Sequence, residues 1–278
     1  MTGTTSRRLI VQHTRDTLEF RRASSRAPLI VQHARADRRP YLHPLVAPDE
    51  SAVLTEDAPA HHPWQHGLSI GLNDVNGVGF WTEGRHEPHR AIDGTFHPQP
   101  LRAAVVQGHT ARWVVETEYR APTGTALMDE TQRWLARDDG NAYCLDLEWI
   151  LRARIDIQFG RYDYGGLFLR MPWRADAGFT MHNSQGAKAR EQIEAQRACW
   201  VAVSTGRAGI AIFDHPQNPE HPVPWRADNS FGFGPSRCIA GAWKLAAGES
   251  ARLLHRVFVF TEPGAITESY RQFTEERA

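Results

Sequence analysis

The sequence predicts an all-β chain: a large antiparallel two-sheet β-sandwich that ends in a short C-terminal helix. Three observations predict it. Apolar and polar residues alternate through much of the chain, the period of a strand with one buried face. Gly, Asp and Pro punctuate these runs at hairpin spacing. The runs are also too many for one open sheet, which would curl or leave long edges, so two packed sheets are expected. The chain has 278 residues and is 41% hydrophobic, enough for a large core. It reads as a single domain over 1–278.

The elements follow in order. RLIVQH (8–13) and TLEFRRA (17–23) read as a hairpin, with a further strand in APLIVQHA (27–34). LRAAVVQGHTARWVVETEYRAP (101–122) holds two strands around Gly108. DETQRWLARDDGNAYCLDLEWILRAR (129–154) is a hairpin turned by Asp138, Asp139 and Gly140. CWVAVSTGRAGIAIFDHP (199–216) turns at Thr205 and Gly206, and WKLAAGESARLLHRVFVFTEP (243–263) reads as a last hairpin turning at Gly248. In AITESYRQFTEERA (265–278), Ile266, Tyr270 and Phe273 share one face of a helix. A short helical piece is expected within 187–198. No linker, low-complexity run or repeat interrupts this pattern.

Charge and cysteine narrow the function classes. Lys plus Arg is 32 and Asp plus Glu is 32, a formal net charge of zero. Such balance argues against nucleic acid or an anionic membrane as partner. No stretch reaches the roughly 18 apolar residues of a membrane span. The opening MTGTTSRRLIVQH lacks the apolar core of a secretory signal. Cys144, Cys199 and Cys238 are far apart, with no CxxC or zinc spacing. A soluble, cytoplasmic chain with reduced thiols is expected.

Chemistry-bearing residues gather in four blocks. Between Arg39 and Trp81 stand His43, His61, His62, Trp64, His66, Asn73, Asp74, Asn76 and Trp81, in a turn-rich setting. Imidazole holds or moves a proton near neutral pH or binds a metal, and indole offers a flat apolar face to a ligand ring. HHPWQHG (61–67) therefore has three readings: a metal site, acid–base or hydrogen-bonding work on a ligand, or loop structure. Asn73, Asp74 and Asn76 fit turn chemistry around Asn-Gly equally well. GRYDYGGLFLR (160–170) places Asp163, Tyr164 and Arg170 around two glycines. Arg170 lies in an apolar strand, so it needs a carboxylate partner, either a protein group such as Asp163 or a ligand anion. MHNSQG (181–186) adds His182, Asn183 and Ser184. FDHPQNPEHPVPW (213–225) holds Asp214, His215, Asn218, His221 and Trp225 in a proline-stiffened loop after a strand. SxxK, the P-loop and a strand-flanked GxGxxG are missing, and Gly232 and Gly234 lack the βαβ setting of a nucleotide site.

RPYLHPLVAPDE, HHPWQHGLSIGLNDVNGVGFW, DYGGLFLRM with MHNSQG, and FDHPQNPEHPVPW, in that order, resemble the PmoA-like family, with which the label "methane oxygenase" travels. The resemblance implies a supersandwich of the aldose-epimerase or lyase kind, acting on carbohydrate. It points to His43, His62, Gly67, Trp81, Gly166, Arg170, Asp214, His215, Asn218 and Trp225. Trp64 and Gln65 depart from the family pattern, which often has histidines there, and His66 stands where an Arg or Lys is usual.

Three functions follow as expectations. The first is a carbohydrate-active enzyme that moves a proton next to a carbonyl, as in a lyase or epimerase acting on a sugar or keto-glycoside. His62 or His215 would be the base, with His66 or Arg170 holding charge on the enolate. His43, Trp64, Trp81, Asp163, Asn183, Asp214, Asn218, His221 and Trp225 would bind substrate. The second is a sugar-binding protein without catalysis. The third is a metal-dependent oxygenase, which requires His43, His62, His66 or His215 to converge on a metal. The cofactor is left open, the expected partner is a small sugar, and a homodimer is allowed. The enzyme readings require the early histidine block and the late proline-stiffened block to face each other across one cleft.

Overall fold

The structure is a computed structural model that describes residues 8–36, 38–84, 92–172, 178–206 and 208–276. Among these residues the strands form two antiparallel sheets. The first takes β1 (Leu9–His13), β2 (Thr17–Arg22), β3 (Ile30–His33), β4 (Tyr41–Leu45), β5 (Leu68–Val75), β6 (Val78–Phe80), β12 (Ile157–Phe159), β13 (Gly166–Arg170), β17 (Trp225–Ala227), β18 (Gly232–Pro235) and β19 (Trp243–Leu245). The second takes β7 (Thr95–Pro98), β8 (Val105–Gln107), β9 (Thr110–Arg120), β10 (Ala126–Asp138), β11 (Ala142–Ala153), β14 (Phe179–Asn183), β15 (Trp200–Thr205), β16 (Ala208–Asp214) and β20 (Ser250–Phe260).

Alternation places the core. In β9, Ala111, Trp113, Val115, Thr117 and Tyr119 point inward, and in β10 Met128, Glu130, Gln132, Trp134 and Ala136 do so. They meet Leu42, Leu68, Ile70, Leu72 and Leu167 of the first sheet in one continuous apolar cluster. A polar ladder runs through this interior. Trp113 Nε1 donates to Gln32 Oε1 at 3.0 Å, and Trp134 Nε1 to Gln132 Oε1 at 3.1 Å. Gln132 Nε2 donates to Glu130 Oε2 at 2.8 Å, while Tyr119 and Trp149 donate to Glu130 Oε1 at 3.1 and 2.8 Å. Burial is satisfied here by donors, not by a counter-charge.

The expected hairpins form over 8–23, around Gly108 and at Asp138 to Gly140, where Asp138 opposes Tyr143. Thr205 opposes Ala208 across the third turn. The last expected hairpin does not form. β19 pairs with β12 in the first sheet, and β20 lies between β16 and β11 in the second. The turn at Gly248 is thus a crossing between sheets. The Trp243 ring stacks on Phe159 at 3.7 Å, which holds β19 on the first sheet; alternation alone does not tell a strand which neighbour to take.

The stretch from 68 to 80 is the hairpin β5–β6, and the turn chemistry expected around Asn-Gly is found there: Asp74, Asn76 and Gly77 all have positive φ. Helix α1 (Arg190–Ile193) falls inside the expected helical piece, and α2 (Arg237–Ala240) is a second short helix. After a 3₁₀ turn at Pro263–Ala265, α3 (Ile266–Glu276) covers the outer face of the second sheet. Its Ile266 and Phe273 pack with Cys144, Ala211, Phe213 and Phe258; positions 277–278 of the expected helix lie outside the described residues. Among the described residues no helix is long and apolar enough to cross a membrane.

Candidate functional site

The loop between β4 and β5 carries HHPWQHG over the end of the first sheet. Gly67 ends it with φ of +34°, and a Cβ there would sit 2.1 Å from the Leu42 carbonyl oxygen. Only glycine lets the loop return so close to β4. The loop brings His62, Trp64 and Gln65 against Trp81 and Thr82, Tyr164 and Phe168, and Arg226 and Asp228. Together these line a cavity of about 250 Å³. Trp81 packs edge-on to Phe168 at 5.2 Å and tilted on Tyr164 at 4.6 Å. The guanidinium of Arg226 lies over Tyr164 at 5.9 Å and pairs with Glu194 at 2.6 Å.

His62 is the imidazole of this cavity. It meets Trp64 edge-on at 5.5 Å and His61 at 4.9 Å. Among the described residues its buried Nδ1 has no hydrogen-bond partner. Burial, then the charge of Arg170, lowers its pKa from the ordinary histidine value, so the ring is neutral at pH 7. A neutral ring with a nitrogen to spare can accept a proton.

His66 has a different environment. Its Nδ1 donates to Asp57 at 2.5 Å and its Nε2 faces Glu83 at 3.2 Å, while Glu83 accepts from Arg39 Nε at 2.9 Å. Tyr41 stacks on the ring at 4.7 Å. Burial opposes the charge, but the two carboxylates outweigh it and raise the pKa. A cation enclosed by carboxylates is a poor base, and the ring is absent from the cavity lining; its role is to tie the loop to β4 and to Glu83.

The His66 network sets a pH dependence of stability. His66 is raised in the folded chain, so its contribution is complete below about 6.5 and is lost as pH rises through the folded value. Burial opposes ionisation of Glu83, but His66 and Arg39 hold its pKa below the ordinary value, so its contribution is present above about 4.5 and is lost as pH falls. Thermal melts from pH 5 to 9 should show His66→Gln reducing the alkaline decline. An unchanged profile in that variant would remove His66 as its source.

Arg170 has no exposed surface. Its Nε donates to Gln65 Oε1 at 2.6 Å, its Nη2 meets Asp228 Oδ2 at 2.7 Å, and its Nη1 donates to the Ser230 carbonyl. The carboxylate partner expected of it is therefore Asp228, whereas Asp163 is exposed. Saturated in this way, Arg170 braces the wall behind the cavity.

The late block is placed elsewhere. Asp214, Asn218, His215, His221 and Trp225 are all missing from the lining of the His62 cavity. Asp214 accepts from Asn218 Nδ2 at 2.7 Å and His221 Nδ1 at 2.8 Å; the Asn218 amide also binds both polar groups of the Leu254 backbone. His215 packs edge-on to Phe273 of α3 at 4.9 Å, and its Nδ1 accepts from the Gln217 amide. Trp225 is buried and donates to the Ala198 carbonyl at 2.7 Å. Asn183 accepts from the amides of Gln185 and Ala187 in its own turn, and His43 Nδ1 is 2.9 Å from Thr55 Oγ1. The two blocks do not share this cavity: Asn218 and His215 fold against β20 and α3 on the other sheet, while Trp225, in β17 of the first sheet, is turned to Ala198, so the single cleft expected between the blocks does not form and the His62 cavity stands without the late block. Among the described residues no group of three or more His, Cys, Asp or Glu is placed to hold a metal ion.

His62, Trp64 and Trp81 are thus brought together in one cavity, alongside Gln65, Thr82, Phe168, Arg226 and Asp228, which were not among the candidate site residues of the sequence. Only Arg226 and Asp228, two residues apart just after Trp225, left a signal: charges next to a buried indole.

The model of DUF6807, described as a family of unknown function, matches residues 20–271. That description does not carry the PmoA name expected above. No curated protein matches the chain. Among solved structures it is similar to the GH36 alpha-galactosidase AgaB from Geobacillus stearothermophilus, at 12% identity and a TM-score of 0.45, covering 91% of this chain and 41% of that one. It thus spans about two fifths of that alpha-galactosidase. It is also similar to a galactose mutarotase related enzyme from Lactobacillus acidophilus, at 8% identity, TM-score 0.43, covering 92% and 98% of the two chains. A galactose mutarotase-like protein from Lactobacillus casei gives 8% identity, TM-score 0.40, and coverage of 90% and 99%.

Proposed function

We propose, for a chain that belongs to the DUF6807 family, that the His62 cavity binds a small sugar and that His62 accepts a proton from it. One observation carries this reading: a neutral imidazole whose buried Nδ1 has no partner among the described residues lines a cavity walled by Trp64, Trp81, Tyr164 and Phe168. Aromatic faces suit the apolar face of a pyranose, and Gln65, Thr82, Arg226 and Asp228 offer donors and acceptors to its hydroxyls. The volume, about 250 Å³, is below the usual range for drug-sized ligands and suits one ring. The substrate class is a keto-sugar or keto-glycoside, whose carbonyl acidifies the neighbouring C–H. His62 takes that proton, and Arg226, the cation among the lining residues, faces the enolate oxygen. Arg170, committed to Asp228 and Gln65, supports this indirectly by keeping His62 neutral.

Free aldoses, glycosides and 3-keto-glycosides incubated with the protein in D₂O and followed by NMR test the reading. Deuterium incorporation or elimination next to the keto group is expected. His62→Gln should cut it by about 100-fold or more while retaining ligand binding and the melting temperature. Activity should fall on the acid side as His62 protonates, at a pH below its ordinary value of about 6.5. Binding without turnover would leave a sugar-binding protein, and no binding of any sugar would overturn the proposal.

A further inference from the structure

We propose that Cys199 is a nucleophilic thiol, with His221 as its base and Asp214 orienting the imidazole, and that small hydroperoxides are its substrate class. Cys199 Sγ lies 3.8 Å from His221 Nε2, and His221 Nδ1 lies 2.8 Å from Asp214 Oδ2. Nucleophile, base and orienting carboxylate within hydrogen-bond reach in that order is the arrangement of an activated nucleophile. The Asp214 carboxylate is buried, with 1% of its side chain exposed, and is fixed by the Asn218 amide and the Val223 N–H. It accepts the Nδ1 proton of His221, which leaves the Nε2 lone pair facing the sulfur.

The pair lies near the surface, since Cys199 is half-buried and 15% of the His221 side chain is exposed. The surroundings of the sulfur include the Tyr270 hydroxyl from α3, hydrogen-bonded to the Cys199 side chain. His255 Nδ1 stands 3.9 Å from Asp214 on the far side, and Ser184 Oγ accepts from the Cys199 backbone N–H. Cys144 and Cys238 provide the contrast. Both are buried, and burial pushes their thiols up, Cys238 to about 11. This constellation is separate from the His62 cavity and does not depend on the sugar reading.

The chemical step balances with a hydroperoxide as oxidant. His221 takes the thiol proton, a sulfur lone pair attacks the near peroxide oxygen, an S–O bond forms and the O–O bond breaks. Sulfur is oxidised by two electrons to the sulfenic acid and the peroxide is reduced. The imidazolium proton passes to the leaving oxygen, which departs as water when the oxidant is hydrogen peroxide.

Hydrogen peroxide with dimedone as trap, read by peptide mass spectrometry at pH 7, tests this on the whole chain in its folded state and unfolded in urea. Cys199 should be labelled at least about tenfold faster in the folded chain, although it is less exposed there. His221→Gln should remove that advantage. Slower labelling of Cys199 in the folded wild-type chain than in the unfolded one overturns the proposal, as does a folded His221→Gln variant that labels at the wild-type rate. If His221→Gln does not fold, the wild-type comparison alone decides.

Discussion

Arg170→Met should cost the fold about 3–5 kcal/mol, a large part of the 5–15 kcal/mol that holds a typical chain together. The substitution keeps the apolar volume but strands Asp228, whose side chain is only 13% exposed, together with Gln65 Oε1 and the Ser230 carbonyl. A buried carboxylate without its cation is the expensive part, since the Ser230 and Gly232 amides that remain supply donors but no charge. Urea unfolding measures the loss, and a change below about 1 kcal/mol would mean that the pair adds little. A second readout separates bracing from chemistry. Arg170 is one cause of the lowered His62 pKa, so its removal should shift the acid limb of any His62-dependent activity to higher pH.

Glu130→Leu should be comparably severe. It leaves the Tyr119 hydroxyl, the Trp149 indole N–H and the Gln132 amide without their acceptor in the centre of the sandwich. At about 1–3 kcal/mol for each stranded donor, with partial relaxation, the loss at pH 5 is about 3–6 kcal/mol. Burial is the largest influence on Glu130 and pushes its pKa up to about 7, although its three donors favour the ionised form. The unfolded chain releases this proton near the ordinary value of about 4.5. Between the two values the folded state holds more protons, so Glu130 costs wild-type stability as pH rises, on the order of 3 kcal/mol in all. The gap between wild type and variant should therefore narrow by pH 8. A gap independent of pH would show that Glu130 titrates alike in both states.

The sequence shows the long strands of the second sheet clearly because each has one face in the core. In Thr110–Arg120 every inward residue is Ala, Trp, Val, Thr or Tyr, and the outward ones are mostly charged. The first sheet is harder to read. All five residues of Gly166–Arg170 are buried, so no period sets one face of that strand apart: Arg170 stands out by its charge, but Phe168 reads as core. Leu68–Val75 is buried at all but one position for the same reason. Registry explains the rest. His62 and Trp64 are legible as a cluster, but Phe168, Arg226 and Asp228 reach them only through the pairings of Gly166–Arg170 with Leu68–Val75 and Gly232–Pro235. The late loop misleads because it straddles the sheets. Its start extends Ala208–Asp214 in the second, and its end, Trp225–Ala227, is an edge strand of the first.

The crossing at Gly248 has a consequence during synthesis. Neither sheet draws on one continuous piece of chain: the first needs Trp243–Leu245 after its opening strands, and the second needs Ser250–Phe260 between Ala208–Asp214 and Ala142–Ala153. A nascent chain emerging from the ribosome must therefore hold Ala142–Ala153, and then Ala208–Asp214, each with one unpaired edge until Ser250–Phe260 has been translated. During that wait it is exposed to aggregation, and it is then that a chaperone would help it most.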